Sequence, residues 1–169
     1  AVSLTGSEQA GIAVATEAGK HLKKCVLELG GSNAFIILED ANLEKAVAIA
    51  VNARMQNAGQ SCIAAKRFLV HENIVEEFVA KLKVAIQNLK TGNPFDKEMQ
   101  IGSLARVDLA EELEAQVQKS IQMGADLIVG GTRKEAFYEP TILANVTTEM
   151  PVFNEETFGP VASIITFKT

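Results

Sequence analysis

Short apolar runs and helix-like stretches alternate along this chain, and that alternation constrains its fold more than any single residue does. Val2-Ser3-Leu4-Thr5 runs into Gly6-Ser7 and then an Ala-rich stretch to about Leu22, with Ile12, Ala15 and Gly19 on one face. This predicts strand, tight turn and helix. Residues 24–29 predict a second strand, and Phe35-Ile36-Ile37-Leu38 a third, unbroken in apolar character as a strand covered on both faces requires. Asp40-Ala41-Asn42 caps a helix over about 43–57. Its residues Ala46, Val47, Ile49, Ala50, Val51 and Ala53 leave it apolar almost all round, which predicts an interior position. Residues 67–71 read as a strand, and Asn73 opens an amphipathic helix bearing Ile74, Phe78, Leu82, Ile86 and Leu89. A further helix over about 106–123 repeats Leu109, Leu113, Val117 and Ile121, then Gly124 closes it before the strand at 126–129; residues 161–167 form a last strand. Alternation of this kind predicts an α/β fold, a mostly parallel sheet with helices on both faces.

The chain has 169 residues, 47% of them hydrophobic, which suffices for a real core. A net charge of −5, from 16 basic and 21 acidic residues spread along the sequence, offers no basic stripe for nucleic acid and no cationic face for a membrane. Neither partner is expected, and the apolar runs break well short of the roughly 18 residues that a membrane span needs. The two cysteines, Cys25 and Cys62, do not make a disulfide scaffold, so a reducing, cytoplasmic setting is expected. His21 and His71 have no partners at metal-ligand spacing, and no metal is expected. Lys23-Lys24 and Lys66-Arg67 read as flanks of strands, the latter pair close enough to Cys62 to influence an anionic substrate.

Cys62 follows the small-residue run Asn57-Ala58-Gly59-Gln60-Ser61, which gives a thiol the access that a nucleophile needs. A lone cysteine among Ala and Ile is most often just a small buried hydrophobe. Glu28 closes an otherwise apolar strand before Leu29-Gly30-Gly31. A carboxylate there either faces outward at a strand end or is buried with its pKa raised toward neutrality, poised as a base. Gly6-Ser7 at a helix start suits a phosphate, although the fuller glycine fingerprint of dinucleotide sites is absent. Glu155-Glu156 reads equally as a solvated acidic turn.

Taken together, the runs Leu4-Thr5-Gly6-Ser7-Glu8-Gln9-Ala10-Gly11, Leu27-Glu28-Leu29-Gly30-Gly31, Asn57-Ala58-Gly59-Gln60-Ser61-Cys62 and Asn154-Glu155-Glu156-Thr157-Phe158-Gly159-Pro160 resemble, in order, motifs of the NAD(P)-dependent aldehyde dehydrogenases. The resemblance implies that Cys62 is a nucleophile forming a thiohemiacetal and then a thioester, its own N–H donating to the oxyanion. It implies that Glu28 is the general base. It implies that NAD or NADP is bound by Gly6 and Ser7 at the pyrophosphate, by Glu156 at the nicotinamide ribose, and by Leu29, Gly31 and Phe158 near the ring, Gly31 through a tight turn. Within the family the likeness is to a bacterial-type succinate-semialdehyde dehydrogenase group. An Arg and a second Cys that another branch carries near its nucleophile are here Gln56 and Ala64, so that carboxylate clamp and that redox switch are not expected. Family members are longer, so residues 1–30 are expected to be the remnant of a cofactor domain and 31–169 an incomplete catalytic domain. A small aldehyde is the implied substrate and a homo-oligomer, dimer or tetramer, the implied state of the full-length protein. The chain alone is expected to be inactive.

Overall fold

The computed structural model describes residues 1–168 as two compact units, Ala1–Gly31 and a second beginning at Ser32. In the first unit, β1 (Val2–Thr5) and β2 (Cys25–Glu28) pair in parallel, Val2 opposite Cys25 and Thr5 opposite Glu28, joined by α1 (Glu8–Lys20). Ser7 sets the helix start: its backbone is extended and its Oγ accepts the Ala10 N–H at 3.2 Å. The helix ends at Lys20, short of Leu22, because Leu22 adopts φ 53° and the Lys23 N–H turns back to the Ala18 carbonyl at 2.9 Å. Gly11 lets α1 approach the strands closely, since a Cβ there would lie 2.7 Å from Leu29 Cδ2.

The second unit is built on a five-stranded sheet. Its strands are β3 (Asn33–Ile37), β4 (Ala65–His71), β5 (Asp126–Val129), β8 (Thr141–Ala144) and β9 (Val161–Phe167), in the spatial order β3-β4-β9-β8-β5. The pairings β3/β4, β4/β9 and β8/β9 are parallel and β5/β8 is antiparallel. The sheet is thus mostly parallel, as the alternation predicts. Residues 130–140 hold only a small hairpin, β6 (Arg133–Lys134) with β7 (Phe137–Tyr138), which turns at Glu135 with φ 53°. With no crossover helix between β5 and β8, the chain returns antiparallel. That hairpin and the antiparallel edge have no counterpart in the sequence reading.

Helices cover both faces. Phe68 pairs with Phe35 on one side and Ile164 on the other, so these three residues share a face. Here α2 (Leu43–Met55) and α3 (Val75–Gln87) pack together and on β4, with Phe78, Leu82 and Ile86 buried. The opposite face carries Arg67 and Ser163. Against it lie α4 (Val107–Gln122) and the short α5 (Pro151–Asn154): Arg67 stacks 5.1 Å from the Phe153 ring, and Ser163 Oγ donates to the Val152 carbonyl at 3.4 Å. The core runs through Phe68, Val70, Leu113, Val117, Ile142, Leu143 and Ile164, each contributing about 1.5–3 kcal/mol on burial.

Two expectations are corrected. The run Phe35-Ile36-Ile37-Leu38 is not covered on both faces. β3 is an edge strand, flanked only by β4 among the described residues, with Ile37 buried while Ile36 and Leu38 on its other face are exposed. Nor is α2 interior all round. Leu43, Val47, Ala50, Arg54 and Met55 are buried, whereas Glu44, Lys45, Ala48, Ile49 and Asn52 form an exposed stripe, the usual one-sided burial of a helix lying on a sheet.

Candidate active site

The turn after α2 decides where Cys62 sits. Asn57, Ala58 and Gly59 follow one another at φ 53°, 52° and 75°, a left-handed run that only strong local restraint holds in place. The restraints are visible. Asn57 Nδ2 donates to the Gln60 carbonyl at 2.9 Å, Gln60 Nε2 returns to the Asn57 carbonyl at 3.2 Å, and Gln60 Oε1 accepts the Ala105 N–H at 2.8 Å. Ala58 and Gly59 are buried, and a Cβ on Gly59 would fall 2.2 Å from the Gly159 carbonyl oxygen. The loop is thereby pressed onto the segment that precedes β9. Cys62 emerges on the exposed crest, followed by exposed Ile63, and the chain dives back through buried Ala64 and Ala65 into β4.

Two fully buried cations lie under this crest. Arg54, on the last turn of α2, donates from Nη2 to the Gly59 carbonyl at 2.5 Å. Burial lowers its pKa to about 10, against the opposing field of Glu156, so it remains a cation at neutral pH. Among the described residues its Nε and Nη1 find no acceptor. Lys66 reaches the Ser61 and Cys62 carbonyls at 3.2 and 3.3 Å and Glu156 Oε1 at 3.3 Å. Burial lowers the Lys66 pKa, while its hydrogen bond and charge pairing with Glu156 raise it in part. The expectation that Lys66-Arg67 flanks a strand is corrected, since both lie within β4. Arg67 donates to the Ser32 carbonyl and stacks on Phe153, tying β4 into the sheet.

Lys66 and Arg54 are the residues that reading the sequence missed. A signal existed for Lys66: with period-two alternation it shares a face with Phe68 and Val70, and that face is the buried one. For Arg54 only the left-handed turn that follows explains why a guanidinium is enclosed.

The other loop at this end of the sheet, residues 155–160, carries Glu156 and Phe158. Gln116 Nε2 on α4 donates to Glu155 Oε2 at 2.9 Å and to the Glu156 carbonyl at 3.2 Å, fixing the acidic pair. Glu156 is half-buried, turned inward to Lys66 rather than into a solvated acidic turn, and Phe158 is exposed. The second unit thus links Cys62 and Glu156 through one lysine.

In the first unit, the Gly6 N–H donates to the Glu28 carbonyl at 3.0 Å, so the ends of β1 and β2 meet. Gly6 and Ser7 are exposed at the N-terminus of α1, and Ser7 Oγ, already accepting from Ala10, keeps its proton free to donate outward. That donor set suits an anionic diphosphate. The alternative of a buried Glu28 is corrected. In β2, Cys25 and Leu27 are half-buried while Val26 and Glu28 are exposed, because a two-stranded sheet covers only one face. The expected tight turn at Gly31 is likewise corrected: Gly30 and Gly31 lie outside any turn, and neither takes a positive φ.

A mostly parallel α/β sheet that presents a thiol on a strained loop at the end of its strands defines the class. Within that class this chain belongs to the aldehyde dehydrogenase family, whose model matches residues 1–169. It is 52% identical over 97% of its length to the succinate semialdehyde dehydrogenase Sad of Escherichia coli (strain K12), named for NAD(P)+, and spans 36% of that protein. It is 48% identical over 96% of its length to an NADP(+) succinate-semialdehyde dehydrogenase of Deinococcus radiodurans, of which it spans 35%. Among solved structures, the succinate-semialdehyde dehydrogenase of Burkholderia pseudomallei superposes with a TM-score of 0.95 at 36% identity, covering 99% of this chain and 35% of that one. No helix among the described residues is long and apolar enough to cross a membrane.

Proposed function

We propose that this chain carries the nucleophile, Cys62, and the general base, Glu28, of an NAD(P)-dependent aldehyde dehydrogenase whose substrate is succinate semialdehyde. The observation that carries this reading is the exposed Cys62 thiol on a loop held at three backbone carbonyls, Gly59, Ser61 and Cys62, by buried cations. Thiolate attack forms a sulfur–carbon bond and moves the carbonyl π pair onto oxygen, which the Cys62 N–H receives. A bound nicotinamide supplies the hydride acceptor. Glu28, which is exposed, removes a proton from the water that cleaves the thioester. The residues that would hold the cofactor are Gly6 and Ser7 at the diphosphate, Glu156 at the ribose hydroxyls, and Leu29, Gly31 and Phe158 near the ring.

On this reading residues 1–30 belong to a cofactor domain and 31–169 to a catalytic domain, which is supported by the chain's division into two compact units after Gly31. The substrate assignment draws on the two relatives named above. The chain spans about a third of the length of those relatives; on the same reading the chain alone is inactive and the intact protein works as a cytoplasmic homo-oligomer. Exposed Ile36 and Leu38 on the edge strand β3 favour self-association of the isolated chain, which sedimentation would register. The test is aldehyde oxidation by the intact protein, with succinate semialdehyde compared with other small aldehydes and NAD+ with NADP+. Cys62→Ala should abolish turnover, and Glu28→Gln should slow thioester hydrolysis selectively. Full activity in Cys62→Ala would refute the assignment.

A further inference from the structure

Lys66 is placed to act on the peptide group that receives the developing negative charge. Its Nζ has three acceptors within reach, the Ser61 carbonyl at 3.2 Å, the Cys62 carbonyl at 3.3 Å and Glu156 Oε1 at 3.3 Å. Three acceptors match the three N–H bonds of an ammonium, whereas a neutral amine has only two to give. The side chain is fully buried, so these contacts operate in a low dielectric where hydrogen bonds polarise one another. The charged groups facing it are Glu156 from the loop before β9, Arg54 from α2 and the Cys62 thiol from the crest itself.

The geometry points to Lys66 as a positioning residue that strengthens the oxyanion donor: by pulling on the Ser61 carbonyl it polarises the Ser61–Cys62 peptide and makes the Cys62 N–H a stronger hydrogen-bond donor. This rests on Cys62 being the nucleophile. The Ser61 carbonyl and the Cys62 N–H belong to one conjugated amide, so a cation at the oxygen withdraws electron density from the nitrogen. The second contact, to the Cys62 carbonyl, is shared with Asn33 Nδ2 at 3.0 Å and fixes the orientation of the same residue from its other side. Glu156 supplies the counter-charge that lets the cation stay buried.

The consequence separates two reactions of one sulfur. Attack on an aldehyde creates an oxyanion and draws on the polarised N–H; displacement of iodide from iodoacetamide creates none. An oxyanion donor contributes about 10²–10³ in rate, and 10–30% of that on a logarithmic scale is a factor of about two to eight.

The experiment uses the intact protein with the variants Lys66→Met and Lys66→Arg, succinate semialdehyde as probe, and Cys62→Ala alongside. Lys66→Met should lower the single-turnover rate of aldehyde oxidation about two- to eightfold. It should leave the KM for the aldehyde unchanged, and iodoacetamide labelling of Cys62 on its alkaline plateau should match the parent. Lys66→Arg, which keeps charge and donors, should restore the single-turnover rate. An unchanged single-turnover rate in Lys66→Met overturns the proposal. So does labelling that falls in parallel with oxidation, since the lysine then acts on the sulfur or on the loop's fold rather than on the oxyanion donor. Retained oxidation in Cys62→Ala would instead remove the nucleophile assignment on which the inference rests.

Discussion

Gly59 should tolerate no side chain. Its φ of 75° lies in the left-handed region, where an L-residue costs roughly 1–2 kcal/mol. The larger effect is steric. A Cβ would stand 2.2 and 2.3 Å from the Gly159 carbonyl oxygen and carbon and 2.7 Å from Arg54 Nη2, and the first two are backbone atoms that no rotamer change relieves. Restoring ordinary contact of about 3.5 Å requires the two loops to separate by roughly 1 Å. That separation weakens the Arg54 bond to the Gly59 carbonyl, a charge-assisted contact contributing about 1.5–3 kcal/mol in a buried setting. Gly59→Ala should therefore destabilise the protein by about 2–5 kcal/mol in total, which thermal unfolding or a urea titration of the intact protein measures. Because Cys62 rides on the same loop, a displacement of this size should also cut aldehyde oxidation by about 10²-fold. A Gly59→Ala protein whose urea midpoint and oxidation rate both match the parent would refute the reasoning and show that the crest adjusts without cost.

Phe68→Ala, which empties the centre of the sheet between Phe35 and Ile164, should cost about 3–5 kcal/mol by urea unfolding. Tyr138→Phe should be neutral or slightly stabilising by the same measurement, because the buried Tyr138 hydroxyl finds no partner among the described residues. The same variant carries a pH signature. Burial raises the Tyr138 pKa above its ordinary value near 10, so the stability it confers is complete below that value and lost progressively as pH climbs past it. The difference in unfolding free energy between parent and Tyr138→Phe should thus be flat below about pH 10 and shift against the parent above it, and a flat difference throughout would contradict the assignment. Iodoacetamide should label exposed Cys62 faster than half-buried Cys25, read by peptide mass spectrometry; equal rates would count against an accessible crest.

Much of the fold is legible in the sequence. Strands β1, β2, β4, β5 and β9 and helices α1 to α4 fall on stretches whose periodicity is local, because a helix stripe such as Leu113 and Val117 is written by spacing alone. Errors arose where neighbours decide. Phe35-Ile36-Ile37-Leu38 reads as a fully covered strand, yet whether its outer face meets a helix depends on strand order. The β6–β7 hairpin was illegible because two-residue strands carry no period.

For the site, the sequence by itself marked the candidate residues, a thiol after Gly59-Gln60-Ser61, a carboxylate before Leu29 and a hydroxyl at a helix start, and it determined family membership through motifs in order. Side-chain chemistry and motif order survive without a fold. Only the tertiary structure decided that Cys62 stands exposed on a left-handed crest, that Glu28 is exposed, and that Arg54 and Lys66 are buried beneath Cys62 with Glu156 turned toward Lys66. Lys66 and Glu156 are far apart along the chain and meet only because β4 and β9 are hydrogen-bonded neighbours. Burial and charge pairing are properties of what surrounds a residue, and the surroundings are assembled by the sheet.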